Sequence, residues 1–561
     1  MRWLAAIGFL LICAGPAGAD PPAAPVAYLL SPAFDANGLS ALTVEIRFRE
    51  GPSGRTRLAW VKDWAGDAEL ASHARDMTIE GGEARPDGPG AWIVHAPPGA
   101  PIVATYRVVS AYDHDPTDDD SRQSKPVIRP TWFYSVGEAL FARPEDQEKA
   151  PATFVWEGAP AGFGFASDLE HLGRPGGKAA RPGTVKDVLE SVVAGGRDLR
   201  LVDQRIDGTR LRVAVLGRYD FDSAAFARQA FAILKAERDF WRDRGQPFLV
   251  TMSPTLGSPG RLSYGGTGRT DAFALWVDTT TSLADLRWLL AHEYFHTWNP
   301  LALGNLAEDE NEPAGYWFSE GFTDYYAWKL MLASGLFGPN DFADKWNDGL
   351  RAYATSSVRA EPNSRIVADF WKSQEVQKLP YQRGAILAAT LDRQALERGS
   401  SLDDVMREMR RLAAAPGETR HADVLFPVAY QAVTGLDPQP LIERHVIRGE
   451  PQSLAPGVFG PCFKVKTLEA PVFERGWDSE ATRAAGMLVT GLRDDTAAYA
   501  AGLRNGMKIL EFKGLPGDPT VPYLLKVKPA DGPDQLITFM PAGKGRISMQ
   551  KVEPVADCPK A

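Results

Sequence analysis

Leu289-Leu290-Ala291-His292-Glu293-Tyr294-Phe295-His296-Thr297-Trp298-Asn299 decides the reading of this 561-residue chain. Two histidines four apart on a helix project from one face, one turn above the other, so both imidazoles reach a single zinc ion. Glu293 follows the first histidine and sits beside the metal, placed to take a proton from a zinc-activated water and pass it to a leaving amine. The pattern draws twice on a residue type that occurs only 8 times in the chain. The stretch needs to be helical for any of this to hold, and the flanks predict that it is. Ser282 followed by Asp285 is a capping signature, and Leu283, Leu286, Leu289, Leu290 and Phe295 keep a helical apolar stripe. Pro300 is expected to end the helix, pushing Asn299 out of helical geometry. The run from Asp271 to Asp278 just before reads as a strand.

A third ligand follows in Trp317-Phe318-Ser319-Glu320-Gly321-Phe322-Thr323-Asp324-Tyr325-Tyr326. A carboxylate among so many aromatics needs a partner, and a metal ion is one. Two neutral imidazoles and one carboxylate leave a fourth tetrahedral position for water, the mark of a catalytic rather than a structural site. Asp324 lies one helical turn beyond Glu320. It reads either as the acceptor for the spare N–H of a ligand histidine or as a cap or surface carboxylate.

The segments His292–Asn299 and Ser319–Tyr326 together resemble the glycyl aminopeptidase family of zinc metallopeptidases, relatives of the aminopeptidase and thermolysin-like group. The likeness continues through Leu379-Pro380-Tyr381-Gln382-Arg383-Gly384, similar to the family's Y-x-K-G segment, and through Ser401–Met406 and Thr434–Asp437. It spans nearly all of the chain beyond its leader. The resemblance implies that His292, His296 and Glu320 bind Zn2+ and that Glu293 is the general base. It also implies that Tyr381, otherwise an ordinary core aromatic, donates to the oxyanion of the tetrahedral intermediate. Aminopeptidase action on peptides with small N-terminal residues follows as the implied activity.

The chain departs from that pattern in two places. The family's Gly-Gly-Leu-Glu-His-like stretch, whose glutamate lies near the substrate, corresponds to Tyr264-Gly265-Gly266-Thr267-Gly268-Arg269-Thr270-Asp271, which has no glutamate. The glycines predict a close approach of backbone to bound peptide. Asp271 is the nearest carboxylate for a substrate amine, and equally a residue that starts a strand. Arg383 replaces the usual lysine, keeping the charge but not the geometry. An endopeptidase is therefore the alternative. From a different class, the chain is a peptide-binding or quality-control protein with little turnover, against which the intact Glu293 and Tyr381 count.

Met1-Arg2-Trp3, the apolar run Leu4–Ala14 and the small residues Ala17-Gly18-Ala19 predict a cleavable leader over residues 1–19, hence a periplasmic or secreted protein. The run is too short to span a bilayer and no later segment qualifies, so no stable membrane insertion is expected. Beyond the leader two cysteines remain, Cys462 and Cys558, expected to form a disulfide in an oxidising compartment. The balance of 62 basic and 71 acidic residues argues against a nucleic-acid partner and leaves peptides as the expected substrates.

The fold expected is α+β and multidomain. Residues 26–150 alternate apolar and polar in short runs between Pro/Gly/Asp-rich turns, predicting an antiparallel β-sandwich with a solvated acidic loop over 112–126. Residues 151–455 pass from mixed strand and helix, including a long amphipathic helix over Ser223–Arg244, into a helical lobe, predicting a thermolysin-like catalytic domain. Residues 456–561 resemble a PDZ domain through Ala500-Ala501-Gly502-Leu503-Arg504-Asn505-Gly506-Met507-Lys508-Ile509. Such a module takes peptide at a sheet edge or serves only as structure.

Overall fold

The computed structural model describes residues 25–556 apart from 65–66, 118–119, 121–123, 175–180, 257–263 and 308. The leader expected over residues 1–19 and Cys558 lie outside the described residues.

Strict two-residue alternation builds the sheet that carries the site. Its strands run in the order Arg200–Ile206, Thr209–Val215, Phe248–Thr255, Ala272–Asp278 and Tyr264–Gly268. The inner pairs are parallel and the two edge pairs antiparallel. Val213, Val250, Met252, Phe273, Leu275 and Val277 face the core of the helical lobe. Ala214, Leu249, Ala272 and Ala274 face the other way, against Tyr134, Val136 and Val192 of a second sheet. Small residues on that face let two sheets approach closely, while bulky ones fill the space under helices.

The N-terminal block contains a five-stranded sheet in the order Ala152–Trp156, Val26–Asp35, Gly38–Arg49, Pro101–Val108 and Ala74–Glu80. A four-stranded sheet includes Arg55–Ala59 and Ala91–His95, and a third sheet includes Trp132–Val136 and Val192–Gly196. All three feed one core, from Val26, Tyr28 and Leu58 to Phe133 and Val193. That core continues past Ala150, because Ala152–Trp156 pairs with Val26–Leu30 and does so in parallel, the one departure from the antiparallel pattern in these three sheets among the described residues.

The helical lobe follows. The helix over Leu283–Phe295 starts at the expected capping box, with Ser282 Oγ accepting from the Asp285 backbone N–H at 3.3 Å. It ends four residues earlier than Pro300 requires, leaving His296 as its C-cap. Helices Tyr316–Ala333 and Gln374–Glu397 pack so closely that their backbones touch at Gly321 and Gly384. A Cβ on Gly384 would stand 1.9 Å from the Trp317 carbonyl oxygen, which no rotamer change relieves. Gly384→Ala is therefore expected to destabilise the fold by roughly 3 kcal/mol, read as a lowered midpoint in chemical denaturation, since the helices must separate.

In the C-terminal block, Phe463–Phe473 and Ala542–Pro554 form a long antiparallel pair. It docks on helix Pro339–Thr355, where Asn347 exchanges two hydrogen bonds with the Val552 backbone and Phe342 packs on Phe463. A separate three-stranded sheet, Lys508–Lys513, Tyr523–Lys528 and Gln535–Phe539, has its own small core around Tyr523. Cys462 is disulfide-bonded. Its carbonyl accepts from the Val555 N–H, so the two ends of this block lie side by side. Among the described residues, no helix is long and apolar enough to cross a membrane.

Candidate metal centre and cleft

His292 on the capped helix, His296 at its C-cap and Glu320 on the next helix bring their ligand atoms within 4.8 Å of one another. The two Nε2 atoms are 3.1 Å apart, and Glu320 Oε2 lies 3.3 and 3.5 Å from them. Tetrahedral coordination at the usual zinc distances demands ligand separations of about 3.3 Å. The donor chemistry fits as well. His292 Nδ1 donates to Asp324 Oδ1 at 2.9 Å and His296 Nδ1 to the Asn299 carbonyl at 2.7 Å, so Nε2 is the atom each ring has left to offer a metal. Burial opposes charge on Glu320, yet the adjoining imidazoles overcome it and hold the carboxyl well below its ordinary range.

Asp324 accepts from Trp288 Nε1 at 2.9 Å on the same oxygen that meets His292, so it fixes the ring and the helix at once. Asn299 has a larger part than ending a helix. It is fully buried, and its amide nitrogen donates to the carbonyls of Phe318 and Ser319 and to Thr323 Oγ1. Its own carbonyl receives His296. One residue thus sets the distance between the histidine helix and the glutamate helix.

Glu293 and Tyr381 line a cleft of ≈ 780 Å³ that opens beside these ligands. Burial pushes the Glu293 carboxyl up, with both histidines opposing. The Tyr381 ring stacks on His292 at 5.8 Å, and its hydroxyl is raised by burial first and then by the neighbouring Glu320. Arg383, read from its motif as a departure near the site, is instead wholly buried and donates to the carbonyls of Arg359, Glu361 and Val446.

Asp271 is placed differently from the expectation of a free anion for a substrate amine. Its carboxylate is ion-paired with Arg181, a residue 90 positions away. The glycines ahead of it also have another use. Side chains at Gly265 and Gly266 would collide with the rings of Trp276 and Phe273 on the neighbouring strand, so only Gly268 faces open space and the cleft. Among the carboxylates that do reach the cleft from this side is Glu138, which sequence reading missed. Glu138 is 4% exposed, and one oxygen is paired with Arg269 while Oε2 has no hydrogen-bond partner. Burial pushes this carboxyl up, with Arg269 opposing. Its only sequence signal is a charge set within the apolar run Tyr134–Phe141.

Residues 285–378 match the family model of M61 glycyl aminopeptidase. No curated protein sequence matches the chain. Among solved structures, an aminopeptidase N family protein from Idiomarina loihiensis is similar with a TM-score of 0.68 at 16% identity, covering 94% of this chain and 98% of that one. An M1 zinc metallopeptidase from Deinococcus radiodurans gives a TM-score of 0.48 at 14% identity, covering 77% and 95%. The first likeness establishes a shared overall fold. The family match covers the segment that carries all three candidate ligands, and the chain is a metallopeptidase.

Proposed function

We propose that this metallopeptidase is a zinc aminopeptidase that removes small N-terminal residues from peptides. The observation that carries the exopeptidase reading is Glu138: a buried carboxylate oxygen with no partner, in the cleft wall that the N-terminal block supplies. A substrate ammonium is the group such an oxygen lacks. Zinc bound by His292, His296 and Glu320 would polarise the scissile carbonyl and acidify a water. Glu293 takes the proton of the attacking water and delivers it to the departing amine. Tyr381 donates its hydroxyl to the carbonyl oxygen as that atom gains charge. No acyl-enzyme forms, since no side-chain nucleophile is used. The preference for small first residues rests on the family resemblance. The same proposal takes the chain as exported, on the leader pattern of residues 1–19, and residues 456–561 as a PDZ-like module, on the motif around Gly502-Leu503.

The test compares peptides with free and acetylated N-termini, with products identified by mass spectrometry. Free peptides are expected to lose their first residue, and acetylation is expected to lower kcat/KM by about 30-fold or more. Glu138→Gln is expected to shrink that ratio toward one. Cleavage at internal bonds, indifferent to acetylation, would make the enzyme an endopeptidase and Glu138 a structural partner of Arg269.

A further inference from the structure

The lining of the cleft is of two chemical kinds. The N-terminal block and the turn after the edge strand contribute Glu138, Lys186, Glu190 and Arg269, a charged wall. The catalytic domain contributes Leu301, Leu306, Tyr316, Phe370 and Trp371, a mainly apolar one with Glu312 and Gln377 beside it. Trp371 and Leu301 are 72% and 61% exposed, so the fold itself buries neither. Only Leu536 is a more exposed large hydrophobic residue among the described ones. An exposed indole and an exposed leucine on the wall of a catalytic cleft are surface that a ligand covers.

The apolar row is contiguous with the metal ligands. Tyr316 lies one helical turn before Glu320 on the same helix face. Its ring meets Phe370 edge-on at 4.6 Å, and Phe370 meets Trp371 edge-on at 4.9 Å. The turn that carries Trp371 is pinned, because the Asp369 carbonyl accepts from the backbone of both Lys372 and Ser373 at 2.9 and 3.0 Å. Phe370 is anchored in the core while Trp371 is left outside it, so the pair forms a fixed base with a presented ring.

We infer that Trp371, standing on Phe370 with Leu301 in the same cleft lining, is the subsite for an apolar or aromatic side chain on the residue that follows the scissile bond. The inference rests on the peptidase reading above. A peptide whose amine lies on the charged wall and whose carbonyl lies at the metal ligands must run its leaving-group side along the remaining wall. That wall presents Trp371, Phe370 and Leu301, which suit a ring or a branched chain, and Glu312 among them disfavours an acidic one. The small-residue preference then concerns the first residue alone, and the second is selected for size and apolarity.

The experiment uses the full-length zinc-loaded enzyme with two sets of dipeptide amides. One holds alanine first and varies the second residue among glycine, leucine, phenylalanine and glutamate. The other varies the first residue before a constant glycine. The wild-type enzyme is expected to favour phenylalanine over glycine in second position by about tenfold or more in kcat/KM. Trp371→Ala should bring that ratio to within about twofold, and Trp371→Phe should restore most of it. Leu301→Ala, measured beside them, keeps the test open should Trp371→Ala fail to fold. A wild-type ratio near one, or a change confined to the first-residue set, would overturn the assignment. If no dipeptide amide is cut but N-acetylated internal sites are, the aminopeptidase reading fails on its own. The same phenylalanine-to-glycine ratio, taken at the residue after the cut bond in acetylated peptides, then decides the subsite.

Discussion

Glu293→Gln is expected to lower kcat by about a thousandfold while leaving one metal ion per chain. The substitution keeps size, helix propensity and a polar head, and it removes only the ability to accept a proton. Glu293 is not among the three groups that converge on the metal position, yet it lines the cleft one residue from His292. His296→Ala is expected to lose metal and activity together, because the two remaining groups make a poor zinc site. Elemental analysis and turnover on the same preparations separate the two outcomes. A Glu293→Gln enzyme that turns over at near the wild-type rate would sink the general-base assignment, since no other unpaired carboxylate of the helix faces the cleft.

The metal site was largely legible in the chain because its information is local. A capping box, a four-residue spacing and an apolar stripe all lie within 15 residues, from Ser282 to His296. Glu320 was reachable because its aromatic surroundings made an unpartnered carboxylate implausible. What surrounds the site was less legible, and for one reason. Whether a carboxylate is free depends on what lies against it, and those neighbours are far away in sequence. Asp271 is nearest to the glycine stretch in the chain, but Arg181 neutralises it. Glu138 is separated from Arg269 by 131 positions, and its setting in an apolar run is all that marks it locally. Asn299 shows the same limit. Its place before a proline marks a helix end, whereas its bonds to Phe318, Ser319 and Thr323 exist only once two helices have packed.

The division of the chain followed the same logic. One strand of the catalytic sheet was read from the chain, and the observed Ala272–Asp278 agrees closely with the expected Asp271–Asp278. Strand partners were not in the pattern. Ala152–Trp156 reads as one more short apolar run, and only its parallel register with Val26–Leu30 carries the first core past residue 150. The glycines before Asp271 were read as room for a substrate, while two of them are room for Trp276 and Phe273. Small residues announce a close approach, but not of what.

Tyr381→Phe is expected to lower kcat by roughly a hundredfold or more with little change in KM. The substitution deletes one hydroxyl and keeps the ring that stacks on His292. Burial and the nearby Glu320 both hold that hydroxyl protonated, so at neutral pH it is a donor. A donor aimed at the carbonyl oxygen contributes little while the substrate is neutral and much more as charge accumulates on that oxygen, which is why the loss should fall on kcat. Two other results are informative. A rise in KM at constant kcat would mean that the hydroxyl binds the ground-state peptide. Weakened metal binding, with kcat intact once zinc is saturating, would mean that it serves to orient Glu320, the carboxylate it adjoins. Metal titration and steady-state kinetics on one set of preparations distinguish all three, and only a loss in kcat with metal retained supports Tyr381 as the oxyanion donor.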